Sequence, residues 1–89
     1  MLHQTVYLYG MDKFKTFLLG LPQEERESFA ARCGTSFAHM RNVAYGYRKA
    51  GEKLSVRIET ESGGKVTRKD LYPHEWAEIW PELKEATHA

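Results

Sequence analysis

Cysteine is almost missing from this 89-residue chain. The single one, Cys33, cannot close an internal disulfide and has no sulfur partner for a zinc site. It stands beside Gly34 at the end of an apolar helical stripe and reads as a small core residue. Nucleophilic use would need an activating base and an exposed thiolate, and neither is indicated. Long apolar runs are also missing. Phe17–Leu19 is typical of those present, far short of the roughly 20 residues that span a bilayer. No membrane partner is expected. The chain does not open on a basic stretch followed by an apolar one, so no signal peptide is expected and the cytoplasm is the expected compartment. The four histidines, His3, His39, His74 and His88, are scattered, and His74-Glu75 has no second histidine at metal-site spacing. Gly63-Gly64 lacks the setting of a phosphate-binding loop. These absences argue against an enzyme, a metal site and a bound cofactor.

What is present suits one small domain with a single modest core. Hydrophobic residues make up 42% and charged residues 28%, with no repeat and no low-complexity tract. The formal charge of +1 conceals a strong division. Residues 1–31 carry three basic and four acidic side chains. Residues 32–69 carry nine basic ones (Arg32, Arg41, Arg48, Lys49, Lys53, Arg57, Lys65, Arg68, Lys69) against Glu52, Glu59 and Glu61. Residues 70–89 carry one basic and five acidic side chains. The middle of the chain is therefore a candidate surface for a polyanion, and the tail is acidic.

Three regions follow from the patterning. Residues 1–10 alternate around Val6-Tyr7-Leu8-Tyr9 and end at a glycine, which reads as a short strand, an ordered arm or a loose extension. Residues 11–71 follow a helical period. Met11, Phe14, Phe17, Leu18 and Leu21 form a first apolar stripe. Pro22 suits the first turn of a second helix, with Glu24 and Glu25 at its positive end and Gly34 as its stop. Thr35-Ser36 can cap a third helix over about 36–45, and a fourth spans about 52–62 with Leu54 and Ile58 inward. Lys65-Val66 reads as extended, and Thr67 to Asp70 has capping-box spacing with Asp in place of Glu. Residues 72–89 form a helical tail that Pro81 should kink or divide. There Trp76, Ile79, Trp80 and Leu83 share one face, either anchored on the core or used in a dimer contact.

The informative stretch is Arg26 to Tyr45. Two helices crossing over a tight turn need a small residue at the crossing, which is Ala30. Four positions later they need a residue tolerant of positive φ, which is Gly34. Met40 and Val43 fall where the second helix must turn inward. This is the spacing of a helix-turn-helix, in an all-α domain, within the most basic part of the chain. Such a second helix lies in the major groove of double-stranded DNA and reads an operator. Thr35, Ser36, Phe37, His39, Arg41, Asn42 and Tyr45 are then the candidate groove residues. Arg41 suits guanine and Asn42 suits adenine, while Phe37 either packs inward or meets a thymine methyl. Arg48, Lys49 and Lys53 are the candidate phosphate contacts. One such helix covers few base pairs, so a homodimer is expected, with Val6, Leu8, Trp76 and Trp80 as candidate interface residues.

The stretches Met11-Asp12-Lys13-Phe14, Phe29-Ala30-Ala31-Arg32-Cys33-Gly34-Thr35-Ser36, Met40-Arg41-Asn42-Val43-Ala44-Tyr45-Gly46 and Ile79-Trp80-Pro81-Glu82-Leu83 give the chain a family likeness. So do Glu24-Glu25-Arg26, Glu61-Ser62-Gly63-Gly64, Val66-Thr67-Arg68 and Asp70-Leu71. It resembles the Cro-like and YdaS-like small regulators of phages and prophages over about Met11 to Leu83. The resemblance implies a compact five-helix fold of the lambda-repressor/Cro type that represses near its own gene, with DNA contacts on Ser36, Arg41, Asn42 and Tyr45. It also implies a role as antitoxin-like partner in a YdaS/YdaT pair. The competing expectation is accordingly a module that binds a toxin protein instead of DNA, using the acidic, tryptophan-bearing tail.

Overall fold

The computed structural model describes residues 12–86, and the regular elements among them are all helical. The order is α1 (12–20), α2 (Gln23–Arg32), α3 (Phe37–Ala44), α4 (Glu52–Glu61), α5 (Arg68–Leu71), α6 (Trp76–Ile79) and α7 (Glu82–Ala86). Among the described residues five helices therefore precede the tail, as expected, and the tail adds two short ones. The expected strand or arm over residues 1–10 lies outside the described residues, as do Val6 and Leu8.

The core forms where the apolar stripes of the helices converge. Phe14 and Leu18 of α1, Phe29 and Ala30 of α2, Met40 and Val43 of α3, Ile58 of α4 and Val66 beyond it are almost completely shielded from solvent. Phe17 packs edge-on against Phe29, ring centroids 5.3 Å apart. Arg26 closes the α1–α2 corner. Its guanidinium donates to the Leu21 carbonyl at 3.2 Å and the Leu19 carbonyl at 3.0 Å, acceptors that the end of α1 would otherwise leave open. Pro22 sits one residue outside α2, as its N-cap with ψ 141°, and not in the first turn. The extended ψ is what turns the chain from α1 into α2.

One stop signal is used three times. After α2, Gly34 takes φ +83°. Its N–H reaches the Ala31 carbonyl at 2.9 Å while the Thr35 N–H reaches the Ala30 carbonyl at 2.9 Å. These are the paired bonds of a Schellman motif, whose left-handed residue favours glycine. Gly46 with Tyr47 closes α3, and Gly63 with Gly64 closes α4, by the same pair of bonds. Beyond α4 the segment Lys65-Val66 is a bend and not extended chain. The Val66 N–H donates to the Ser62 hydroxyl at 3.1 Å, which folds the segment back on the helix end. The Thr67–Asp70 capping box forms completely. Asp70 N–H donates to Thr67 Oγ1 at 3.1 Å, and Thr67 N–H donates to Asp70 Oδ2 at 2.8 Å.

Pro81 divides the tail into α6 and α7. Trp80 is 8% exposed and meets Tyr72 edge-on at 5.4 Å, and the Tyr72 hydroxyl donates to the Ala50 carbonyl. The tail is thereby locked to the connector between α3 and α4. No described helix is long and apolar enough to cross a membrane.

Candidate nucleic-acid interface

The second half of the helix-turn-helix is built from caps and stripes. Ser36 caps α3 by accepting the His39 N–H at 3.1 Å. Met40, Val43 and Ala44 hold the inner side of the helix. The opposite positions Ala38, Arg41, Asn42 and Tyr45 are all exposed. Their spacing of three, four and seven places them in one row along the helix. Among the described residues, the Arg41 and Asn42 side chains make no hydrogen bond or ion pair, so a guanidinium fork and an amide stand side by side with their donors uncommitted. Both groups can make two parallel hydrogen bonds to a planar partner, which is the geometry of a base edge.

The other expected contact residues distribute unevenly. Phe37 is half-buried against the core with the Arg26 guanidinium 5.8 Å from its ring centroid, which favours the inward alternative for that side chain. Thr35 and His39 line an open depression together with Cys33, Gly34, Gly51, Lys53, Leu54 and Arg57. This depression lies where the turn of the motif meets the start of α4, and its lining contains cations but no carboxylate. Arg48 and Lys53 are exposed and make no ion pair with described residues. Lys49 is differently placed. Its ammonium pairs with Glu75 at 3.2 Å and lies 4.9 Å from the Tyr72 ring centroid, because the tail folds back over the connector. Unlike Arg48 and Lys53, it faces a carboxylate within the chain, in an exposed pair.

Two residues near this surface were not anticipated. Arg57, four positions after Lys53, shares its helix face and donates to the Cys33 carbonyl at 3.4 Å. That spacing was readable, since a cation at i and another at i+4 signal a basic helix face. Lys15 of α1 places its ammonium 4.6 Å from the Tyr45 ring centroid. No sequence signal marks that pair, because the two residues come from helices distant in the chain.

Of the expected dimer contacts, Trp80 is taken up inside the monomer, with Tyr72 on one side and the Arg68 guanidinium 5.5 Å from its ring. Trp76 is half-buried, with the Lys69 ammonium 4.2 Å from its ring centroid. Burial, followed by the nearby Glu61, pushes the Cys33 thiol up to about 11, against the lowering influence of Arg32 and Arg57. At neutral pH it is a protonated, shielded thiol packed beside the turn and not a nucleophile.

No known family profile matches the chain. It is similar to a prophage transcriptional regulatory protein of Escherichia coli strain K12. The two are 29% identical over 68 residues, a stretch that covers 76% of this chain and 97% of that protein.

Proposed function

We propose that this protein is a sequence-specific DNA-binding transcriptional regulator that works in the cytoplasm as a Cro-like repressor, with α3 as its recognition helix. The observation that carries the reading is the exposed row of Ala38, Arg41, Asn42 and Tyr45 on the second helix of a helix-turn-helix. Its two most capable hydrogen-bonding side chains have no partner among the described residues. The similarity to a prophage transcriptional regulatory protein supports the same reading.

In this reading α3 lies in the major groove, Arg41 bonds guanine and Asn42 bonds adenine. Ser36 keeps its cap and can still donate its hydroxyl proton to a phosphate or base. Arg48, Lys53 and Arg57 hold the backbone and set the register. Two copies bind adjacent half-sites as a homodimer, with Trp76 and the segment holding Val6 and Leu8 as the proposed contacts.

The test is a fluorescence-anisotropy titration of labelled duplex from upstream of the protein's own gene, beside a scrambled duplex. Each bidentate base contact contributes about 1–3 kcal/mol of discrimination. Arg41→Ala/Asn42→Ala should therefore lose roughly 30-fold or more in affinity for the selected duplex and approach its binding to the scrambled one. Its thermal midpoint should stay that of the wild type, since both residues are exposed. Failure of the wild type to bind any duplex at low salt would sink the proposal.

A further inference from the structure

We propose that Lys15, on α1 and outside the helix-turn-helix, is a DNA-phosphate contact, and that the Tyr45 ring positions its ammonium. The inference rests on the DNA-binding reading of α3 and extends that surface to a third helix.

Lys13 and Lys15 stand two residues apart on α1. Helical geometry sends side chains at that spacing in nearly opposite directions. The structure bears out the divergence. The Lys13 ammonium goes toward α5 and pairs with Asp70 at 3.2 Å. The Lys15 ammonium goes toward the end of α3 and settles 4.6 Å from the Tyr45 ring centroid. The two cations therefore have different electrostatic fates. A carboxylate neutralises an ammonium. A ring face only attracts it, through the negative face of its quadrupole, and leaves the full positive charge in place.

Tyr45 is the last member of the exposed row that includes Arg41 and Asn42. Lys15 consequently fixes one unneutralised charge at the C-terminal end of that row, and no described carboxylate pairs with it. The depression lined by His39, Lys53 and Arg57 supplies cations near the other end. A helix lying in the major groove runs between two phosphate strands, so cations are useful at both of its ends. An ammonium, as a compact point charge, suits a phosphate better than a base edge. The rival account is that Lys15 only complements the negative end of the α3 dipole. That would contribute to folding and leave DNA binding untouched.

Salt dependence separates the two accounts, because each phosphate contact adds about 0.9 to the slope of log affinity against log salt. The probe is a mixed-sequence duplex of about 30 base pairs, titrated at potassium chloride from roughly 50 to 300 mM. Lys15→Gln should flatten the slope by about 0.9 and weaken binding several-fold at ~100 mM salt. Tyr45→Leu should flatten it equally, Tyr45→Phe should restore the wild-type slope, and the Lys15→Gln/Tyr45→Leu double variant should be no flatter than either single one. Lys13→Gln is the control and should keep the wild-type slope, with circular dichroism confirming that each variant folds. A wild-type slope in Lys15→Gln, with the parent protein still binding steeply, overturns the proposal and leaves the regulator reading intact. A parent protein with no salt-dependent binding to any duplex overturns both.

Discussion

The surface around α3 and the surface around the tail are both rich in cations, yet they treat them in opposite ways. Around the tail, cations are answered within the chain. Arg68 pairs with Glu59 and Glu82 and faces Trp80. Lys49 pairs with Glu75 and Lys13 reaches Asp70, while Lys69, which lies on the Trp76 ring, is the exception that keeps its charge. Around α3, Arg41, Arg48 and Lys53 are exposed and make no ion pair with described residues. A charge count along the chain sees one basic middle. The folded molecule has two populations, one that braces the tail and one with no carboxylate partner among the described residues. Net charge of a segment is thus a poor guide to a binding surface until the internal pairs are subtracted.

This contrast can be broken most forcefully at Trp80. Trp80→Ala removes the ring that Tyr72 and Arg68 pack against and should lower stability by about 3–5 kcal/mol, read by urea denaturation. Where the variant remains folded, its DNA salt slope should match the wild type. A large change in slope at constant fold would erase the division between bracing and binding regions.

Gly34→Ala probes the joint that orients α3. The backbone sits at φ +83°, and an added Cβ would come 2.2 Å from Arg57 Nη1, the flexible end of a side chain that can move away. The left-handed conformation alone should cost about 1–2 kcal/mol in denaturant unfolding. Displacing Arg57 should weaken DNA binding somewhat further than the loss of stability accounts for.

The finest discrimination comes from two neighbours, Arg48 and Lys49. Arg48→Gln should flatten the salt slope of DNA binding by about 0.9. Lys49→Gln should change it much less, because the Lys49 ammonium is already paired with Glu75. Neither change should alter stability by more than about 1 kcal/mol, as expected for exposed ion pairs. Equal slopes for the two variants would show that Glu75 yields to phosphate and that the tail competes only weakly for this cation.

Much of the fold was readable because its signals are local. The Ser36 cap, the Gly34 stop, the Thr67–Asp70 box and the division at Pro81 all involve residues within about five positions of one another. The inner face of α3 was readable for the same reason, since Met40 and Val43 follow the helical period. Pro22 stands one residue outside the turn its preference suggests, and the Ser62 hydroxyl that bends Lys65-Val66 is invisible to strand patterning. Among the candidate contacts, the exposed places of Arg41 and Asn42 were legible from periodicity. The fate of Lys49 was not, because its partner Glu75 lies 26 residues away.

The sequence by itself determined the succession of helices, where each one stops, and which side of α3 turns inward. These follow from backbone hydrogen bonding and side-chain period over a turn or two of chain. Only the tertiary structure decided which charges stay uncommitted. Whether Lys49 meets Glu75 or Lys15 rests on Tyr45 depends on how helices distant in the chain pack. Electrostatic attraction at 3–5 Å acts between neighbours in space and leaves no periodic trace along the chain.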